Sequence, residues 1–280
     1  MNKIMKGLML AMGLAGTVTA NAAVISYTDF SDVTGLQLNG NAAQVGDVLR
    51  LTSDTSGQAG SAFSTNAIAL SADVSFSAFF SFNISGLGGF GDSDGPGADG
   101  LVFTMQTVSN TAGSAGGGIG FDGLGESLGV EFDTWDNGTP TDPNGNHVGV
   151  NLDGNVTSVT TVNEPTRFNN GSDWFAWIDY DGTIDELSVR YSQTSVKPTL
   201  EAIIYNVDLT SIFDSTDVFV GFTSATGSAY NNHDINSFSF NTDFDENFAS
   251  NGAPPVSAPG SFLLLMLSTL GLIAYRRKSF

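Results

Sequence analysis

No cysteine occurs in the 280 residues. Disulfide staples, thiolate ligands and thiol nucleophiles are therefore excluded. Positive charge is almost as scarce. Nine lysines and arginines stand against 29 aspartates and glutamates, a formal net charge of −20. Lys3, Lys6, Arg276, Arg277 and Lys278 lie at the extreme ends, which leaves Arg50, Arg167, Arg190 and Lys197 for the body. So acidic a body repels nucleic acid and anionic membrane surfaces. It remains compatible with neutral sugars and divalent cations. Acidity of this kind can also mark disorder, but 41% hydrophobic content and 21 phenylalanines supply a core. A secreted domain without disulfides needs another staple, and bound metal can serve as one.

Long helical periods are missing too, outside two terminal apolar runs. Short alternating segments take their place. From Val74 to Ile84, Phe76, Ala78, Phe80, Phe82 and Ile84 share one face, with Ser75, Ser77, Ser81 and Asn83 on the other. That pattern predicts a half-buried strand. Val130 to Asp133, Val148 to Leu152, Trp174 to Tyr180, Leu187 to Tyr191, Leu200 to Val207, Val218 to Phe222 and Phe238 to Phe240 are further candidates. Many short strands, separated by Gly, Asn, Asp and Ser, predict an all-β sandwich or jelly roll. We expect one domain, residues 23–251.

The two ends read as addresses. Residues 1–22 carry Lys3 and Lys6, an apolar run from Gly7 to Val18, then Ala20-Asn21-Ala22. This is the layout of a secretory signal peptide cut after Ala22. Residues 252–280 carry Pro254-Pro255, Val256-Ser257-Ala258-Pro259, an apolar helix over 262–275, and Arg276-Arg277-Lys278. The run is at the short end for a membrane helix, and the basic cluster would stay cytoplasmic. The tail resembles the PEP-CTERM class of sorting signals, with Val-Ser-Ala-Pro in place of Pro-Glu-Pro. That resemblance implies a Gram-negative bacterium, an exosortase-type processing enzyme, transient inner-membrane anchoring, and release to the cell surface or extracellular matrix.

The segment from Glu131 to His147 concentrates the chemistry. Glu131 and Asp133 are two apart, so in a strand they share a face. Gly138, Pro140 and Pro143 then force a loop that can fold Asn137, Asp142 and His147 back over it. Carboxylates with an amide oxygen and a backbone carbonyl suit Ca²⁺. Carboxylates with one imidazole suit a transition metal such as Mn²⁺. Two adjacent ions could share Asp133 and Asp142.

This spacing resembles the double-metal loop of the legume-type (L-type) lectins. The resemblance implies a concanavalin-like jelly-roll β-sandwich. It implies that Glu131, Asp133, Asp142 and His147 hold the transition metal, and that Asp133, Asn137, Asp142 and the Trp135 carbonyl hold Ca²⁺. Leu36 to Ala42, Val48 to Thr52, Trp177 to Asp181, Val207 to Leu209 and Val220 to Gly227 are similar to other family segments, in family order. Ala98-Asp99-Gly100-Leu101-Val102-Phe103 resembles the segment bearing the sugar-binding aspartate, whose Ala–Asp peptide is cis in that family. Asp99 would then accept hydrogen bonds from two sugar hydroxyls. Gly118, in Gly116-Gly117-Gly118-Ile119-Gly120, would present its N–H to the sugar. Asn137 would turn its oxygen to calcium and its NH₂ to a hydroxyl, and Trp135 would stack on the ring. Ser228 and Ala229 match variable-loop positions that touch sugar. His233 resembles a framework histidine. The long loop from Gly86 to Gly97, with Asp92-Ser93-Asp94-Gly95, departs from the plant pattern and could reshape the pocket.

The function expected is a non-catalytic, Ca²⁺/Mn²⁺-dependent carbohydrate-binding protein, secreted, with homo-oligomer formation multiplying its avidity. One rival is a glycoside hydrolase using Glu131 and Asp136, since such enzymes need two nearby carboxyls, one of raised pKa. A bound divalent ion would hold Glu131 ionised and unfit as an acid. Another rival is a structural matrix protein without sugar binding, which the joint presence of Asp99, Gly118 and Asn137 argues against.

Overall fold

The computed structural model describes residues 25–111 and 118–253. The expected signal peptide, Gly116, Gly117 and the apolar tail lie outside them. Among the described residues no helix is long and apolar enough to cross a membrane.

In chain order the strands are β1 (Ile25–Tyr27), β2 (Leu36–Gly40), β3 (Ala43–Val45), β4 (Val48–Thr52), β5 (Ala59–Ser64), β6 (Ile68–Ala69), β7 (Phe76–Gly89) and β8 (Gly100–Gln106). They continue as β9 (Ser127–Asp133), β10 (His147–Leu152), β11 (Thr160–Asn163), β12 (Asp173–Asp181), β13 (Glu186–Ser192), β14 (Ile203–Asn206), β15 (Asp217–Ala225) and β16 (Ala229–Asn241). A 3₁₀ turn at Leu209–Ser211 precedes β15. Two antiparallel sheets result. One is ordered β14-β13-β12-β7-β16-β4-β3, with β1 also on β16. The other is ordered β11-β10-β9-β8-β15-β5-β2, with β6 also on β15. We call these the back and front sheets. The all-β sandwich expected from the pattern is the observed architecture.

Phenylalanines fill the space between the sheets. Phe80 of β7 stacks on Phe103 of β8 at 5.9 Å and meets Phe222 of β15 edge-on at 5.0 Å. Phe82, Phe132 and Phe168 continue the cluster toward Trp174. Edge-to-face and offset rings of this kind add to the gain from burying their area.

Three expectations need correction. First, β7 is not half-buried: Ser77, Phe79 and Ser81 on its second face are also buried. The segment from Asp243 to Ala253 lies over this outer face of the back sheet. Phe248 and Ala249 form a separate apolar cluster with Phe79 and Trp177, and Trp177 Nε1 donates to the Ala249 carbonyl at 2.9 Å. Lys197 Nζ clamps the strap by donating to the Glu246 carbonyl and to buried Asp179, both at 2.8 Å. Second, the candidate at Phe238 to Phe240 is the end of a 13-residue strand, β16. Two register shifts, at Tyr230/Asn232 and Ile235/Ser237, break its alternation and hid it. Third, of the candidate Leu200 to Val207 only Ile203–Asn206 forms β14, with Leu200, Glu201 and Ala202 before it and Val207 after it.

Candidate functional site

Register builds the site. Ala225 of β15 lies opposite Gly100 of β8, Gly100 opposite Asp133 of β9, and Asp133 opposite His147 of β10. One row across four strands of the front sheet thus ends the sheet on functional residues. Asp99 immediately precedes this row. Its N–H donates to the Ala225 carbonyl at 3.2 Å, and its carbonyl accepts from Thr134 N at 3.0 Å. The Ala98–Asp99 peptide is cis, as the resemblance implied, and so is Thr139–Pro140.

Glu131 and Asp133 point away from the inter-sheet core, while Val130 and Phe132 point into it. All three acidic candidate ligands are buried: Glu131 at 1%, Asp133 at 1% and Asp142 at 3% exposure. Ligand atoms of Asp133, Asp142 and His147 lie within 4.8 Å of one another. Burial, and then the neighbouring charges of Glu131 and Asp142, push the Asp133 carboxyl well above the usual carboxylate range. Burial raises Asp142 as well. Anions crowded in this way are relieved by a cation in their midst.

His147 strengthens that fit. Its Nδ1 lies 3.0 Å from the Asn144 carbonyl, which can only accept, so Nδ1 carries the proton. Nε2 then faces Glu131 Oε1 at 3.3 Å. A ligating histidine anchored through its other nitrogen to a backbone carbonyl is the usual arrangement at metal sites. The donor set of hard oxygens and one imidazole suits Ca²⁺ and Mn²⁺.

Glu131 stands slightly apart from the triad of Asp133, Asp142 and His147. Asn151 Nδ2 donates to its Oε2 at 2.5 Å and Ser158 Oγ to its Oε1. Gly149 is what admits it: a β-carbon there would lie 2.4 Å from Glu131 Oε1 and 2.1 Å from Ser158 Oγ. Sequence reasoning missed Asn151 and Ser158. Asn151 was findable, being four residues past His147 on the same strand face. Ser158 sits in a loop and carries no periodic signal.

The loop itself is closed by Asp142, whose Oδ2 accepts from Asn137 N at 2.6 Å and Asn137 Nδ2 at 2.9 Å. Here the amide nitrogen, not the oxygen expected to face calcium, turns to Asp142. Trp135 is half-buried and is not a core residue, while Asn137 is exposed. Asp92 joins the glycine-rich loop of 86–97 to this region, accepting from Asp136 N at 3.0 Å.

Asp99 is 4% exposed, and its Oδ2 has no hydrogen-bond partner in the chain. Burial first, and the Asp142 charge second, push its carboxyl up to about 7. Gly227 lies beside it: a β-carbon there would make ordinary contact with that oxygen at 3.7 Å. Ser228 is exposed beside it, whereas Ala229 is buried and opens β16, with its carbonyl accepting from Gly227 N. The Ala229 side chain is thus turned inward. Gly118 begins a turn whose Ile119 and Phe121 pack on Val102 and Phe63 in a second apolar cluster outside the front sheet. Thr223 Oγ1 donates to the Ile119 carbonyl at 2.8 Å and ties that turn to β15. Asp136, the hydrolase candidate's second carboxyl, caps the Gly138 N–H, while Glu131 is sealed among His147, Asn151 and Ser158. That burial does not suit a general acid reaching substrate.

The architecture is a two-sheet β-sandwich with an acid–imidazole loop at one end of its front sheet, beside a buried aspartate whose Oδ2 has no partner in the chain. The model of the legume lectin domain family matches residues 23–254. The chain belongs to that family. Among solved structures it is similar to the basic winged bean lectin with Tn-antigen, at 30% identity and TM-score 0.63, covering 77% of this chain and 96% of that one. It is also similar to the Bauhinia forficata lectin in complex with GalNAc, at 26% identity and TM-score 0.64, with the same coverage. Among curated proteins, the L-type lectin-domain containing receptor kinase VIII.1 of Arabidopsis thaliana is 32% identical over 262 residues, 85% of this chain and 35% of that protein. The chain spans about a third or less of the length of the curated receptor-kinase relatives it matches. Family and structural neighbours together support carbohydrate binding.

Proposed function

We propose that this is a metal-dependent carbohydrate-binding protein whose sugar site centres on Asp99. The observation that carries the reading is the unpartnered Oδ2 of buried Asp99, one residue from the strand row that ends in Asp133 and His147. A buried acceptor left without a donor is costly, and two sugar hydroxyls are donors of the right kind. Asp133, Asp142 and His147, with Glu131, would hold the transition metal. Asp133, Asp142, Asn137 and the Trp135 carbonyl would hold Ca²⁺. The ions supply positive charge that keeps the carboxylates ionised. The chain's own part is to position: Asn137 and Trp135 flank the sugar, Gly118 offers backbone N–H, and Ser228 borders the opening. Ala229 contributes through main chain.

The reading includes export. The signal peptide at 1–22 and the PEP-CTERM-like tail at 252–280 support a protein of a Gram-negative bacterium, released to the cell surface or matrix after exosortase-type processing. A glycan array probed in Ca²⁺/Mn²⁺ and again after chelation tests the binding reading. Binding that appears only with metal supports it, and no binding in either condition overturns it.

A further inference from the structure

Phe90 is 72% exposed, the most exposed phenylalanine among the described residues. It does not sit on a free-swinging loop. Asp92 N donates to the Gly95 carbonyl at 3.1 Å, Gly91 and Pro96 form an isolated bridge, and Arg167 Nη2 donates to the Pro96 carbonyl at 2.8 Å. Asp92 Oδ2 holds the same hairpin to Asp136 N. A large apolar ring is therefore held in water by a pinned hairpin.

Beside it lies an open cleft of about 560 Å³, lined by Ser56, Gly57, Phe90, Gly227, Ser228 and Tyr230. Gly227 is shared with the Asp99 pocket, since its β-carbon position is 3.7 Å from Asp99 Oδ2. The Tyr230 ring rests on the Gly88 backbone, where a β-carbon would lie 2.2 Å from a ring carbon. The cleft thus adjoins Asp99 at Gly227 and carries two aromatic rings.

We propose that Phe90 and Tyr230 form a second sugar subsite, so that the ligand is an oligosaccharide of at least two neutral units. This rests on the reading that Asp99 binds the first. The chemistry follows from the lining. None of the six residues carries a charge, and the molecule's net charge of −20 disfavours anionic sugars. A pyranose has one face of C–H groups that buries well against a phenyl ring, and hydroxyl edges that suit the Tyr230 and Ser228 side chains. Pinning the hairpin lowers the ordering cost of binding.

The test uses an array of neutral mono-, di- and trisaccharides in Ca²⁺/Mn²⁺, then titration with the best disaccharide and its component monosaccharides. Phe90→Ala should weaken the disaccharide roughly tenfold, the effect of burying one ring face, and leave the monosaccharide bound at Asp99 unchanged. Phe90→Trp should retain disaccharide affinity. Being exposed, position 90 should leave the melting temperature alone. A Phe90→Ala variant that binds both ligands as the parent does, or weakens both equally, overturns the subsite. Glycan binding that survives Asp99→Ala overturns the underlying reading as well, which separates the two failures.

Discussion

The imidazole of His233 accepts the backbone N–H of Gly100 at 3.2 Å and so fixes the residue that follows Asp99. Its other nitrogen lies 2.7 Å from Thr52 Oγ1. Full burial pushes its pKa down to about 3, and the neutral ring has the lone pair that Gly100 needs. A back-sheet histidine thereby braces the front-sheet backbone next to Asp99.

That histidine sets a pH dependence. The unfolded chain binds its proton near 6.5, the folded chain only near 3. Stability from His233 is therefore full above pH 6.5 and falls as pH drops toward 3, by up to about 1.4 kcal/mol per pH unit. Denaturant titrations across that window should show a steeper acid loss for the parent than for His233→Gln. Equal slopes would mean the ring is protonated in the folded state.

Metal removal should lower stability as well as binding. Ligand linkage contributes about 2.7 kcal/mol when free metal is a hundredfold above its dissociation constant. Chelated protein should melt lower, and added Ca²⁺ and Mn²⁺ should restore it. Elemental analysis of the stripped sample checks that metal has gone.

Gly149→Ala should weaken the metal site specifically, because a β-carbon would press on Glu131 Oε1 and Ser158 Oγ. We expect metal affinity to fall about 10–100-fold, the range for disturbed outer-shell partners. Titration of stripped protein with Mn²⁺ reads this out. An unchanged affinity would place Glu131 outside the metal's reach.

Phe248→Ala should destabilise the fold by about 3–5 kcal/mol, as for other buried phenylalanines. It would open the outer face of β7 and expose Trp177, so fluorescence should shift red while the metal site stays intact. This strap shows where sequence reading stopped. The loop from Glu131 to His147 was legible because its donors are contiguous and a strand's two-residue period fixes their face. Asp99 was legible through the Ala-Asp-Gly segment. Phe248, by contrast, is one of two phenylalanines in a polar stretch, and nothing local says that it and not Phe244 covers Phe79. The serines of β7 suggested solvent for the same reason. Asp92 reaches Asp136 across 44 residues, a contact that neither loop's composition encodes. Bulges in β16 interrupted the alternation by which strands are found.

The tail proposal has its own measurement. Protein recovered from the extracellular fraction should have lost the segment after Pro255, and intact mass would show it. Material ending at Phe280, found only with inner membranes, would indicate a permanent anchor.

The central claim is that Asp99 binds sugar only when the adjacent loop holds its ions. The most direct test is calorimetric titration of one array-selected glycan into metal-loaded, chelated and remetallated parent protein, alongside metal-loaded Asp99→Ala. The account predicts binding in the first and third samples, none in the second, and none in the folded, metal-retaining variant. Undiminished binding by verified metal-free parent, or by Asp99→Ala, would contradict it.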